Sequence, residues 1–122
     1  MNFTPLRSTL VSAALALALA TLPACADAAG TRGGVSCDQW LQDKKADDWQ
    51  ITADQFWLLG YLSGLAVGLG EDLLPLRSND AIFEWMDSYC LSAPAKGVDD
   101  AANVLAKTLY EERARERAAE RP

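Results

Sequence analysis

The sequence predicts an all-α protein: a compact four-helix domain with one disulfide between helices 1 and 3. Three observations predict it. Beyond residue 35, apolar residues recur at i, i+3, i+4 and i+7, the spacing of one helix face, and no segment requires a strand. Gly70, Pro75, Pro94 and Gly97 divide these stretches into helix-length pieces. Two cysteines, Cys37 and Cys90, each fall on an apolar stripe.

The first 28 residues read as a signal peptide. Arg7 supplies a positive start. The run from Leu10 to Leu22 has the length of a signal-peptide core and is too short for a membrane span. Ala26-Asp27-Ala28 fits the small-residue cleavage pattern. Leu22-Pro23-Ala24-Cys25 offers a second reading, processing as a lipoprotein with Cys25 lipidated and the protein anchored in the outer membrane. Either way the chain is expected in the periplasm, soluble unless Cys25 carries lipid. Removal leaves one small domain, near the lower size limit for a single hydrophobic core. The expected organisation is a helical domain over 35–110 and a charged helical tail over 111–122.

Gly30 to Gly34 reads as a flexible leader. Val35–Lys45 forms the first helix, with Cys37, Trp40 and Leu41 on one face. Ala46–Ile51 reads as a polar connector carrying Trp49. Thr52 opens the second helix through a T-x-x-Q capping box with Gln55, and the helix runs to Leu69 before Gly70. It is apolar on nearly every side, which places it in the middle of the fold. Gly60, Gly64 and Gly68 stand four residues apart on it. Each glycine costs about 1 kcal/mol against alanine in a helix, so close packing of a neighbouring helix is expected to offset them. Contact with a membrane or a second copy is the alternative. The third helix spans Asn79–Leu91, with Ile82, Met86 and Cys90 stacked at i, i+4 and i+8. The fourth begins near Val98 and carries a stripe of Val98, Ala101, Ala102, Leu105 and Leu109. After Tyr110 the stripe ends, and pairs such as Glu111 with Arg115 support a solvated extension.

Export turns three cysteines into two. Cys37 and Cys90 remain as an even pair in an oxidising compartment, where a disulfide is expected. They lie 53 positions apart, and loop-closure entropy gives such a bridge about 4 kcal/mol. Two cysteines and no histidine do not fill a structural zinc shell, so no metal is assigned.

The formal net charge is −6, and Arg7 and Asp27 are the only charged residues ahead of Ala29, so cleavage leaves it unchanged. That balance argues against nucleic acid and anionic lipid as main partners. No catalytic residue is assigned. Histidine is absent, and Ser63 has no evident activating partner. Neighbouring carboxylates such as Asp47-Asp48 and Glu71-Asp72 do not face each other along a helix. No cofactor fingerprint is present. The tryptophans are the remaining candidates. Trp49, Trp57 and Trp85 are candidate anchors for a protein partner, with Trp49 the expected exposed one.

Cys37-Asp38-Gln39-Trp40-Leu41 and Tyr89-Cys90-Leu91-Ser92-Ala93-Pro94 resemble the two cysteine segments of the HdeA/HdeB family of periplasmic acid-stress chaperones. The glycine-rich second helix and the charged tail depart from that family's pattern. Gly60-Tyr61-Leu62-Ser63-Gly64 is similar to a G-Y-x-x-G segment of small exported helical proteins, including a type VI secretion immunity family. The first resemblance implies a non-enzymatic chaperone that loses native assembly in acid and offers apolar surface to protein clients. The second implies an immunity protein neutralising a secreted toxin. Without histidine, any acid switch is expected in the ordinary carboxylate range, about pH 3 to 5, with little titration above it.

Overall fold

Three of the four helices start at a residue whose side chain accepts a hydrogen bond from a free N–H of the first turn. In the computed structural model, which describes residues 30–122, four α-helices follow in order: α1 (Cys37–Ala46), α2 (Trp49–Leu69), α3 (Asn79–Ser92) and α4 (Val98–Glu120). A 3-10 turn at Leu74–Leu76 separates α2 from α3. The expected signal peptide over residues 1–28, with Cys25, lies outside the described residues.

Ser36 caps α1 by accepting from the Gln39 N–H at 3.1 Å, and Ser78 caps α3 by accepting from Ala81 at 3.2 Å. Asp38 stands at the positive end of α1, and Lys44 and Lys45 stand at its negative end. The chain then reverses within two residues. Asp47 adopts a left-handed conformation at φ 52, and Asp48 caps α2 by accepting from Gln50 at 2.9 Å. The expected start at Thr52 is therefore wrong by three residues. Asp48 is the better cap because it precedes Trp49 directly, and the polar connector over 46–51 shrinks to Asp47-Asp48. Gly70 ends α2 at φ 66, a conformation natural to glycine. α4 starts at Gly97, whose N–H donates to Asp100 at 3.2 Å.

The core lies between α2 and α4 on one side and α1 and α3 on the other. Trp40, Leu58, Ile82, Met86, Leu105 and Leu109 are fully buried in it. Cys37 and Cys90 are also fully buried and form the disulfide, with Cα atoms 4.8 Å apart, joining the start of α1 to the end of α3. Beside it, the Cys37 N–H donates to Lys96 at 2.8 Å, and the Val98 N–H donates to Val35 at 2.9 Å. Ser36 and Gly97 form an antiparallel bridge, so the chain entering α1 is tied to the chain entering α4.

Three further expectations are corrected. The leader is held: Thr31 donates to Asp99 at 2.7 Å, and the Trp57 indole donates to the Arg32 carbonyl at 2.7 Å. A Cβ on Gly34 would meet the Trp57 ring at 2.8 Å, so glycine lets the leader lie flat on that ring. Gly60, Gly64 and Gly68 do not pack against a neighbouring helix, because a Cβ on any of them meets nothing within 4 Å. α2 meets α4 and α1 through one side, and its apolar opposite side faces outward. The tail is a continuation of α4 and not only a solvated extension. Glu112 pairs with Arg77 at 2.8 Å, and Arg117 pairs with Glu71, which binds it to the segment between α2 and α3. Glu111 lies 4.0 Å from Lys107, the i−4 partner, where Arg115 was expected.

Candidate functional site

α2 carries one charged side chain, Asp54, in its 21 residues. Ile51, Leu58, Leu62 and Ala66 turn inward and are buried. Trp49, Ala53, Phe56, Gly60, Gly64 and Val67 turn outward and are exposed, and Thr52 and Ser63 border them. The outward row is large: Trp49 is 74% exposed, Phe56 71% and Val67 82%. The result is an uncharged, mostly apolar stripe along the whole helix. A groove of about 360 Å³ continues it past the helix end, lined by Ser63, Ala66, Val67, Gly70 and Leu74, with Glu71 and Asp72 at its rim. A smaller hollow of about 160 Å³ lies beside Phe56, between Leu59 and Phe83.

The three tryptophan candidates separate. Trp49 is exposed, as expected, although it stands at the first position of α2 and not in a connector. Trp57 is stacked on Tyr61, with ring centroids 5.0 Å apart, under the leader. Trp85 is stacked on Tyr89 at 5.4 Å and packs against the core. Trp40 is buried, and its indole donates to Asp87 at 2.8 Å, while Lys44 pairs with the same carboxylate. Ser63 donates its hydroxyl to the Leu59 carbonyl at 2.7 Å, a back-bond within its own helix. Among the described residues, no three His, Cys, Asp or Glu side chains gather as a metal site, and no helix is long and apolar enough to cross a membrane.

Sequence reasoning missed two features. One is the outer row itself. Trp49, Ala53, Phe56, Gly60, Ser63 and Val67 follow steps of four and three, the spacing of a helix-pairing seam, and that spacing was readable. The other is a carboxyl pair beneath it. Asp54 faces Asp43 of α1, which is buried and accepts from Gln39 at 2.8 Å. One Asp54 oxygen is buried with no hydrogen-bond partner. Burial, then the hydrogen bond and negative charge of Asp43, push the Asp54 carboxyl from 3.8 up to about 6. A side chain therefore titrates above the expected range although histidine is absent. Asp43 and Asp54 are eleven positions apart, and only the α1–α2 turn brings them together.

Comparison with protein-family models, curated proteins and solved structures finds no match to this chain.

Proposed function

We propose that the protein is a non-enzymatic periplasmic protein-binding protein that acts as an acid-stress chaperone, holding clients on the outer face of α2. The observation that carries this reading is the uncharged face itself, with Trp49, Phe56 and Val67 each more than two-thirds exposed. A contiguous exposed apolar patch marks a surface with a partner. An uncharged face also keeps its apolar character in acid. Protonation of the carboxylates turns the rest of the surface from a net −6 to strongly positive. The complex would then stay soluble through charge repulsion while the apolar stripe holds the client.

The carboxyl pair refines the mechanism that the HdeA/HdeB resemblance implies. Asp54 has a raised pKa, so the folded state binds its proton more tightly than the unfolded chain. Its contribution to stability grows as pH falls through about 6 and is complete below 3.8. Early acidification therefore tightens α1 against α2. Over that interval the pair favours the folded chain, so α2 meets clients as a folded face before any loss of native assembly.

The test is suppression of aggregation of an acid-denatured model enzyme at about pH 3 and at pH 7. Near-stoichiometric suppression at pH 3, reduced severalfold by Phe56→Lys with Val67→Lys, is expected. Lysine stays charged in acid, whereas glutamate would not. No suppression at pH 3 refutes the reading. The open face in the folded molecule also favours neutralisation of a toxin. That function requires one stoichiometric partner retained at pH 7 and released by the same substitutions.

A further inference from the structure

We propose that the cleft between α2 and α3 is a binding site for an organic cation, one that joins a benzene-sized apolar group to an ammonium or guanidinium. Of the outer row of α2 the site uses only Phe56, and it does not rest on the chaperone reading.

The helix packing leaves this cleft open. α3 rests on α1 and α4, and α2 rests on the same two helices, so α2 and α3 meet each other little. Side chains line the gap. Phe56 and Leu59 of α2 and Phe83 of α3 wall the hollow of about 160 Å³, and Thr52, Gln55 and Asn79 complete its lining. An apolar cavity of about 150 Å³ holds one benzene ring. The hollow is therefore sized for a single phenyl or branched aliphatic group. Phe56 is 71% exposed, so its ring has area left to bury against such a guest.

A basin of about 270 Å³ adjoins the hollow, and Gln55 and Phe83 line both. The charged groups in its lining are Asp80, Glu84 and Asp87 of α3 and Lys44 of α1. The three carboxylates stand at i, i+4 and i+7, which puts them on one side of α3. Lys44 is engaged by Asp87, which also accepts from the Trp40 indole. Among the described residues, Asp80 and Glu84 enter no ion pair. The basin thus keeps two carboxylates for a guest. An anionic guest is repelled by them, and a neutral one uses the hollow alone. A cation with an apolar group satisfies both halves, with the ring in the hollow and the charge in the basin. Phe83 is the common wall, so its ring adds attraction for the cation. Asp80 and Glu84 are exposed, so the ionic part weakens with added salt.

The test is titration of the chain, as processed by an exporting bacterial host, with phenethylammonium at pH 7, followed by amide NMR shifts in about 0.02 and 0.3 M salt. Saturable shifts at Leu59, Asp80 and Phe83 are expected, with a Kd of about 1 mM at low salt, severalfold weaker at high salt. Hydrocinnamate, of the same shape and opposite charge, and propylammonium, which lacks the ring, should each bind at least tenfold more weakly. Asp80→Asn with Glu84→Gln should weaken phenethylammonium severalfold and remove its salt dependence. Thr52→Phe should fill the hollow and abolish binding, with the amide spectrum of α4 unchanged. A capped dipeptide of phenylalanine and lysine separates the two sources of such a cation. Tighter binding than phenethylammonium assigns a basic peptide segment, and weaker binding assigns a free amine. No saturation by about 20 mM phenethylammonium overturns the proposal. So does equal binding of hydrocinnamate, or binding indifferent to either variant. Failure here leaves the chaperone reading standing, because client holding is read at about pH 3, where the basin's carboxylates are largely protonated.

Discussion

Opening the Cys37–Cys90 bridge with a reductant is the perturbation whose size the structure bounds most closely. The two residues are 53 positions apart, so the bridge forbids the unfolded chain most of its separations. Loop-closure entropy gives about 4 kcal/mol for a loop of that length. A domain of this size has a total stability of about 5–15 kcal/mol, so reduction removes a large share of it. At about 4–8 °C per kcal/mol, the midpoint of thermal unfolding falls by roughly 20 °C. The native contacts should change little. Both sulfurs stay in the core, and the backbone bonds of Cys37 to Lys96 and of Val98 to Val35 still join the same segments. The assay is urea unfolding followed by tryptophan fluorescence, with and without reductant, on one preparation. The midpoint should drop, and the slope should rise because the reduced unfolded chain expands and exposes more surface. A loss below about 1 kcal/mol would refute the reasoning, since the crosslink would then restrict an unfolded state already compact.

Three further outcomes follow from the same structure. Gly60→Ala, Gly64→Ala and Gly68→Ala should each raise stability by about 0.5–1 kcal/mol in urea unfolding, because an added Cβ meets open space. Asp54→Asn should stabilise the protein by about 1 kcal/mol at pH 7, after allowance for solvent screening, and by only a small fraction of that at pH 4. Urea midpoints across pH 4–7 check this: the natural chain gains stability as pH falls through about 6, and the variant loses that gain. Glu112→Ala should change global stability by less than about 1 kcal/mol, yet speed amide exchange along Arg113–Glu120, where the Arg77 pair holds the last turns of α4. Equal exchange in both proteins would show that the Arg117–Glu71 pair suffices.

Local rules carried most of the fold. The stripe of Ile82, Met86 and Cys90 and that of Cys37 and Trp40 are buried as their spacing implies. The α3 and α4 starts lie at Ser78 and Gly97, next to the punctuation that marks them. The α2 start was misplaced because Thr52 and Gln55 satisfy the same local rule as Asp48, and which cap is used depends on the tight turn at Asp47. The glycines of α2 were misplaced for a different reason. A glycine row signals close approach of something, and its spacing is identical whether that neighbour is a helix of the same chain or lies outside it.

The sequence by itself determined four helices, their inward stripes and the cysteine pair, because helix periodicity and capping act over a few residues. Only the tertiary structure decided which side of the all-apolar α2 meets the core, that Asp43 and Asp54 share one site, and that the leader lies on Trp57. Those depend on contacts between residues distant in the chain. A helix apolar on every side carries no local mark to say which face the rest of the molecule will cover.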